Sequence, residues 1–160
     1  METKLRRNER AMKTREEMER LLERMPVGCL CVATESGPYA VAMNFLFLDG
    51  CVYLHSAKQG RKIAAIKANP NVCFLVHECG PLVIRDKSCG IGQAYKSVIC
   101  FGEAALVEDA GEKRSVLEKM IDKYAPNAME AKKLDAENVE RTAIIKITIA
   151  AMSGKANEIT

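Results

Sequence analysis

Asp49-Gly50 separates an apolar run, Tyr39 to Leu48, from the segment Cys51-Val-Tyr-Leu-His-Ser56, and it is the strongest short hairpin signal in the chain. A two-residue connection of this kind leaves the flanking runs only antiparallel pairing. Upstream, Val27 to Thr34 is a further apolar run with β-branched residues, joined to Tyr39 through the turn signal Glu35-Ser36-Gly37-Pro38. Three strands in an antiparallel meander follow.

Around this meander the pattern alternates between helix and strand. Met18, Leu21, Leu22 and Met25 recur at helical spacing, which predicts an amphipathic helix from about Glu9 to Arg24, stopped by Pro26. Ile63 and Ile66, with Ala64, Ala65 and Ala68, give a second helix that starts near Gly60 and ends at Asn69-Pro70. Val72 to His77 is a fourth strand. Cys79 to Gly92 reads as a loop, with Leu82-Val83-Ile84 over an edge or an opening, and Tyr95 to Glu108 as a fifth strand with a bulge at Gly102. Val116 to Tyr124 marks a helix ended by Pro126, and a softer helical stretch spans Ala128 to Val139. In the sixth strand, Arg141 to Met152, Ala143, Ile145, Ile147 and Ile149 share one face and Ile144, Lys146 and Thr148 the other. Six mostly neighbouring antiparallel strands with short helices exclude a doubly wound parallel sheet and predict a mainly β fold, a closed six-stranded barrel with peripheral helices. At 160 residues, without repeats or an evident linker, one domain is expected: an N-terminal helix within residues 1–25 and a barrel with helices over 26–155.

Composition narrows the function. Twenty-four basic against 21 acidic residues, a net +3, give no one-signed field, and 5% aromatics without Trp leave no base-stacking platform, so nucleic acid is not an expected partner. No segment is apolar for long enough to span a bilayer as a helix. Seven cysteines, an odd number, and a charged N-terminus point to reduced thiols in a cytoplasm. The cysteines lack Cys-x-x-Cys spacing and read as small buried hydrophobes, with no metal expected. His77 reads as a structural or subunit-contact residue.

The segment from Tyr53 to Pro70 carries chemistry. Ser56 offers a hydroxyl, the helix beginning at Gly60 offers unpaired N–H groups and a positive dipole end, and Arg61 and Lys62 add fixed charge. This is a phosphate site, or else a solvated first helical turn.

In the order and spacing of these pieces the chain resembles the pyridoxamine 5'-phosphate oxidase-like FMN-binding split barrels, and within them the nitroimidazole-resistance (Nim-type) branch. The resemblance rests on Val41-Ala-Met-Asn-Phe45, Val52-Tyr-Leu-His-Ser-Ala57, Gly60-Arg-Lys62, Asn69-Pro-Asn-Val-Cys73, Tyr95-Lys-Ser-Val98 leading to Gly102-Glu-Ala104, Glu112-Lys113 and Ser153-Gly-Lys155. It implies a split barrel that forms a homodimer with FMN at the subunit interface. Carried over by position, Ser56, Arg61 and Lys62 hold the FMN phosphate, Ser97 adds a polar contact, and Met43 and Asn44 border the isoalloxazine ring. His55, beside the flavin, is the candidate catalytic acid or hydrogen-bond donor, or else a strand residue fixing local structure. The chain stops soon after its last strand, without the arginine- and histidine-bearing C-terminal segment of true pyridoxamine phosphate oxidases, so that reaction is not expected. The resemblance implies instead an FMN-dependent oxidoreductase reducing a small molecule such as a nitroaromatic with electrons from NAD(P)H or another donor. A non-catalytic flavin- or haem-binding module and a deazaflavin F420-dependent reductase are the alternatives.

Overall fold

In the Asp49-Gly50 turn both residues have positive φ, 50° and 73°, the backbone of a type I′ hairpin turn. The computed structural model describes residues 7–84, 91–128 and 134–157. Its strands are β1 (Val27–Thr34), β2 (Gly37–Asn44), β3 (Leu46–Leu48), β4 (Cys51–Ala57), β5 (Asn71–Val83), β6 (Gly92–Leu106) and β7 (Thr142–Asn157). The α-helices among the described residues are α1 (Arg15–Arg24), α2 (Arg61–Ala68), α3 (Ala110–Tyr124) and α4 (Ala136–Arg141), preceded by a single 3-10 turn, Asn8–Arg10. None of the described helices is long and apolar enough to cross a membrane.

All pairings in the sheet are antiparallel and the strand order is β2-β1-β5-β6-β7-β4-β3. The two edges, β2 and β3, are consecutive in the chain and joined by Phe45 alone. Successive Cα atoms are about 3.8 Å apart, so one linking residue brings the edges together and the sheet must roll into a barrel. Seven strands result where six are expected. The run Tyr39 to Leu48 breaks at Phe45, whose side chain is fully buried and meets the Phe74 ring edge-on at 4.9 Å between centroids.

Three further boundaries differ from the sequence expectation. The predicted loop Cys79 to Gly92 is largely strand, since β5 runs to Val83 and β6 begins at Gly92, while residues 85–90 lie outside the described residues. Leu82 and Ile84 are solvent-exposed. The chain stays paired through Gly80-Pro81 because the register shifts between Cys79 and Leu82, which frees Pro81 from donating to the ladder. The first helix starts at Arg15, where Thr14 caps it by accepting from the Glu17 N–H at 3.2 Å. The softer helical stretch, in part outside the described residues, contains α4, capped by Asp135.

The bulge at Gly102 is present: Phe101 pairs with Ala151 and Gly102 with Ile149, leaving Ala150 as the extra residue. Only glycine fits there, because a Cβ would lie 2.1 Å from the Thr148 carbonyl oxygen. Inside the barrel Leu30, Val32, Val52, Leu54, Phe74, Val76, Val98, Ile145 and Ile147 form the core, closed off by Leu21 and Leu22 of α1. A second cluster outside it packs α3 (Val116, Met120) on Leu46, Tyr53 and Ile144. The alternation of β7 thus divides between two cores, with Ile145 and Ile147 inside and Ile144 under α3.

Candidate functional site

Helix α2 differs from the other three at its start. Thr14, Asp109 and Asp135 cap α1, α3 and α4 and each of those helices has a glutamate in its first turn, whereas α2 has neither a capping side chain nor an acidic residue there. Gly60 enters it at φ 122° and accepts the first intrahelical bond, from the Ala64 N–H at 3.0 Å. The N–H groups of Arg61, Lys62 and Ile63 therefore have no intrahelical partner, and two cationic side chains stand beside them.

Four residues before Gly60, Ser56 lies on the barrel-interior face of β4 with Val52 and Leu54. It is only 8% exposed, and among the described residues its Oγ has no hydrogen-bond partner. A buried hydroxyl left unpaired costs about 1–3 kcal/mol, which a bound acceptor would recover. The Arg61 guanidinium stacks over the Tyr39 ring at 5.1 Å from its centroid. Arg61 also lines a groove of about 510 Å³, with Ala64 and Ala68 of α2, Thr34 at the end of β1, and Glu35 and Ser36 of the turn that follows. Sequence reasoning did not find Tyr39 or this groove, because both depend on the turn folding back toward α2.

The remaining predicted site residues are spread out. His55 is exposed on the opposite face of β4 from Ser56, opposite Ile144 of β7. Met43 is half-buried against the barrel core, on the same face of β2 as Tyr39. Asn44 is exposed and reaches the Pro26 carbonyl at 3.5 Å through its Nδ2. Ser97 pairs with His77 on one side and Lys155 on the other. Ser56 pairs with Ala143, so the β7 partners of the two serines are twelve residues apart, roughly 40 Å of extended strand. Ser56, Arg61 and Lys62 lie in one stretch of chain, and along β7 the partner of Ser97 is far from that of Ser56.

The chemistry around these residues is otherwise quiet. Burial pushes the Tyr124 phenol up and the Lys123 amine down at the corner near Asn44. Burial also raises the Cys29 and Cys31 thiols. These two, with Cys73, Leu75, Ile99 and Phe101, form a half-buried patch on the outer face of β1, β5 and β6 that belongs to neither core cluster.

Comparisons with known proteins agree with this geometry. Among structures, the chain is similar to a protein described as a 5-nitroimidazole antibiotic resistance protein from Bacteroides thetaiotaomicron, at 25% identity over 92% of this chain and 90% of that one, with a TM-score of 0.79. A FAD-binding protein from Mesorhizobium loti is 27% identical, covering 93% and 98% of the two chains at a TM-score of 0.65. The flavocytochrome Anf3 from Azotobacter vinelandii shares the fold at a TM-score of 0.89 and 24% identity, covering 98% of this chain and 74% of that one. No curated protein matches. The family model described as pyridoxamine 5'-phosphate oxidase matches residues 14–156, and with the rolled antiparallel sheet and the β4–α2 turn in place, the chain belongs to that family.

Proposed function

We propose that this chain is a flavoprotein that binds FMN by its phosphate at the start of α2, and that it acts as an FMN-dependent oxidoreductase on a small oxidised molecule such as a nitroaromatic. The observation that carries the reading is the orphaned Ser56 hydroxyl, four residues ahead of a helix start that has no cap and carries Arg61 and Lys62. Together they offer what a phosphate requires: a hydroxyl donor, free backbone N–H groups and positive charge. A FAD-binding protein and a flavocytochrome among the structural neighbours, and the resistance protein, support the flavin and the substrate class. When bound, the flavin supplies the electron transfer from NAD(P)H or another donor. The chain's part is to bind it and orient it, with His55 as the proton or hydrogen-bond donor to the substrate and Met43 and Asn44 beside the ring.

We infer further that a second chain completes the site. One chain separates Ser97 from Ser56 along β7, so a pocket using both draws them from different subunits. The outer patch of Cys29, Cys31, Cys73, Leu75, Ile99 and Phe101 is the surface a second copy would cover, in a homodimer.

The absorbance spectrum of the purified protein tests the cofactor, since a flavin gives paired bands in the visible and near ultraviolet and a haem a Soret band. In titration, Arg61→Ala with Lys62→Ala is expected to weaken FMN binding by about 3 kcal/mol, the loss of two charge-assisted contacts. Unchanged affinity in the double variant would refute the phosphate assignment. Anaerobic mixing of the loaded protein with NADH or NADPH, then with a nitroimidazole, tests turnover; a flavin that is never reduced would leave a binding module.

A further inference from the structure

Cys31 of β1 stands directly opposite Cys73 of β5 in the antiparallel register, and among the described residues no other two cysteines are paired in this way. Both side chains point outward, since their neighbours Leu30, Val32 and Phe74 fill the barrel interior. Directly opposed residues of an antiparallel pair have Cα atoms about 4.5–5.5 Å apart, inside the ~4.4–6.8 Å that a disulfide spans. Other pairings fit worse. Cys29 and Cys31 are two apart on one strand, about 6.6 Å and at the far limit of that range, and Cys29 is only diagonal to Cys73. Cys31 and Cys73 are free thiols, both half-buried. Burial pushes the Cys31 thiol up, and Cys73 beside it adds to the shift. The pair sits on the seam that joins the β1–β2 hairpin to β5, where β1 and β5 pair through three residues each.

We infer that Cys31 and Cys73 are a thiol-oxidation site, which a low-molecular-weight disulfide of the glutathione class converts to an intrachain cross-link between β1 and β5. The thiolate of one cysteine attacks a sulfur of the oxidant, forming a mixed disulfide and releasing one thiol. The thiolate of the other then attacks the protein sulfur of that mixed disulfide and releases the second. Two protein thiols are oxidised, the oxidant's disulfide is reduced to two thiols, and the two protons pass to them. The product ties the three-residue seam covalently, and excess reduced thiol reverses it. The site is independent of the flavin reading, because both sulfurs belong to one chain and the strand register sets their separation.

Incubation of the full chain with oxidised glutathione, followed by alkylation of the remaining thiols and peptide mapping under non-reducing conditions, tests the site. A cross-link between the peptides of Cys31 and Cys73 is expected, released by dithiothreitol, on protein that still runs as a single chain in non-reducing electrophoresis. The oxidised protein is expected to melt about 5 °C or more above the reduced one, and Cys31→Ser and Cys73→Ser to lose both the cross-link and that rise. Exposed Cys79 provides the control, and Cys79→Ser is expected to leave the cross-link unchanged. Because this outer face is also the one a second copy would cover, the oxidation is followed over a range of protein concentrations. No Cys31–Cys73 cross-link at any concentration overturns the inference, as does a disulfide that joins two chains through these residues. The peptide map of the wild-type chain decides this even where a serine variant does not fold.

Discussion

The Tyr124 hydroxyl accepts the backbone N–H of Phe45 at 2.8 Å, fastening the end of α3 to the single residue that joins the two edges of the barrel. The same oxygen lies 2.6 Å from the Pro26 carbonyl and 2.7 Å from that of Phe45, and donates its proton to one of them. Lys123 completes the corner, with its Nζ on the Met25 carbonyl at 2.9 Å and over the Phe45 ring at 4.2 Å. Tyr124→Phe leaves the ring in place and deprives a buried N–H of its acceptor. It is expected to cost about 1–3 kcal/mol, read as a lower urea midpoint at unchanged slope. A loss within error would mean that water replaces the hydroxyl.

Gly102 permits the bulge at which β6 crosses β7. Because a Cβ there meets backbone rather than a flexible side chain, Gly102→Ala has to move β7. A loss at the upper end of the ~1–3 kcal/mol typical of overpacking, or more, is expected in thermal unfolding. Gly28→Ala provides the comparison: its Cβ would lie 2.2 Å from the end of the Phe74 ring, a buried side chain rather than backbone, so a loss no larger than that of Gly102→Ala is expected there.

Glu112 accepts from Tyr53 Oη at 3.2 Å and from Lys146 Nζ at 3.0 Å, tying α3 to β4 and β7. Glu112→Gln keeps the shape and removes the charge, and about 1 kcal/mol of stability should go with it. In a double-mutant cycle with Lys146→Met the two losses should fail to add; additive losses would show that the pair is not coupled.

Alkaline pH should unfold the protein earlier than its composition suggests. Burial pushes the Cys100 thiol up to about 12 from an ordinary 9.0. The unfolded state therefore releases this proton first, and the stabilisation, complete below pH 9, is lost as pH rises toward 12. Burial raises the Tyr53 and Tyr124 phenols in the same sense, and hydrogen bonding to Glu112 raises Lys146 likewise. Lys123, held low by burial, works in the opposite sense. Denaturant unfolding between pH 8 and 11 should show a decline that is shallower in Cys100→Ala; parallel curves would assign it to the other groups.

Much of the architecture was legible in the residues. The Asp49-Gly50 turn, the alternation of β7 and the bulge at Gly102 are local properties, written in dihedral demands and period-two patterning. The break at Phe45 was not, because a continuous apolar run looks the same whether it stays in one strand or passes from one sheet edge to the other. Gly80-Pro81 reads as a loop for a sound local reason, and only the partner strand shows that a register shift absorbs it. That Ser56, Arg61 and Lys62 stand close together around one helix start is local and was readable. Where Ser97 lies relative to them depends on strand order, which periodicity does not encode.

The place of β7 in the sheet has a consequence for synthesis. It lies between β6 and β4, yet it follows all the other strands in the chain, and its pairing with β4 joins residues as distant as Cys51 and Thr148. While the chain grows from its N-terminus, β1, β2, β5 and β6 can pair as they emerge, but β4 waits beside its short hairpin partner with one edge open. For that interval the nascent protein carries two unsatisfied strand edges, at β4 and β6, on which other chains could pair. Arrival of the last strand covers both edges at once, so the time between emergence of β4 and of β7 is the interval in which this protein most needs a chaperone.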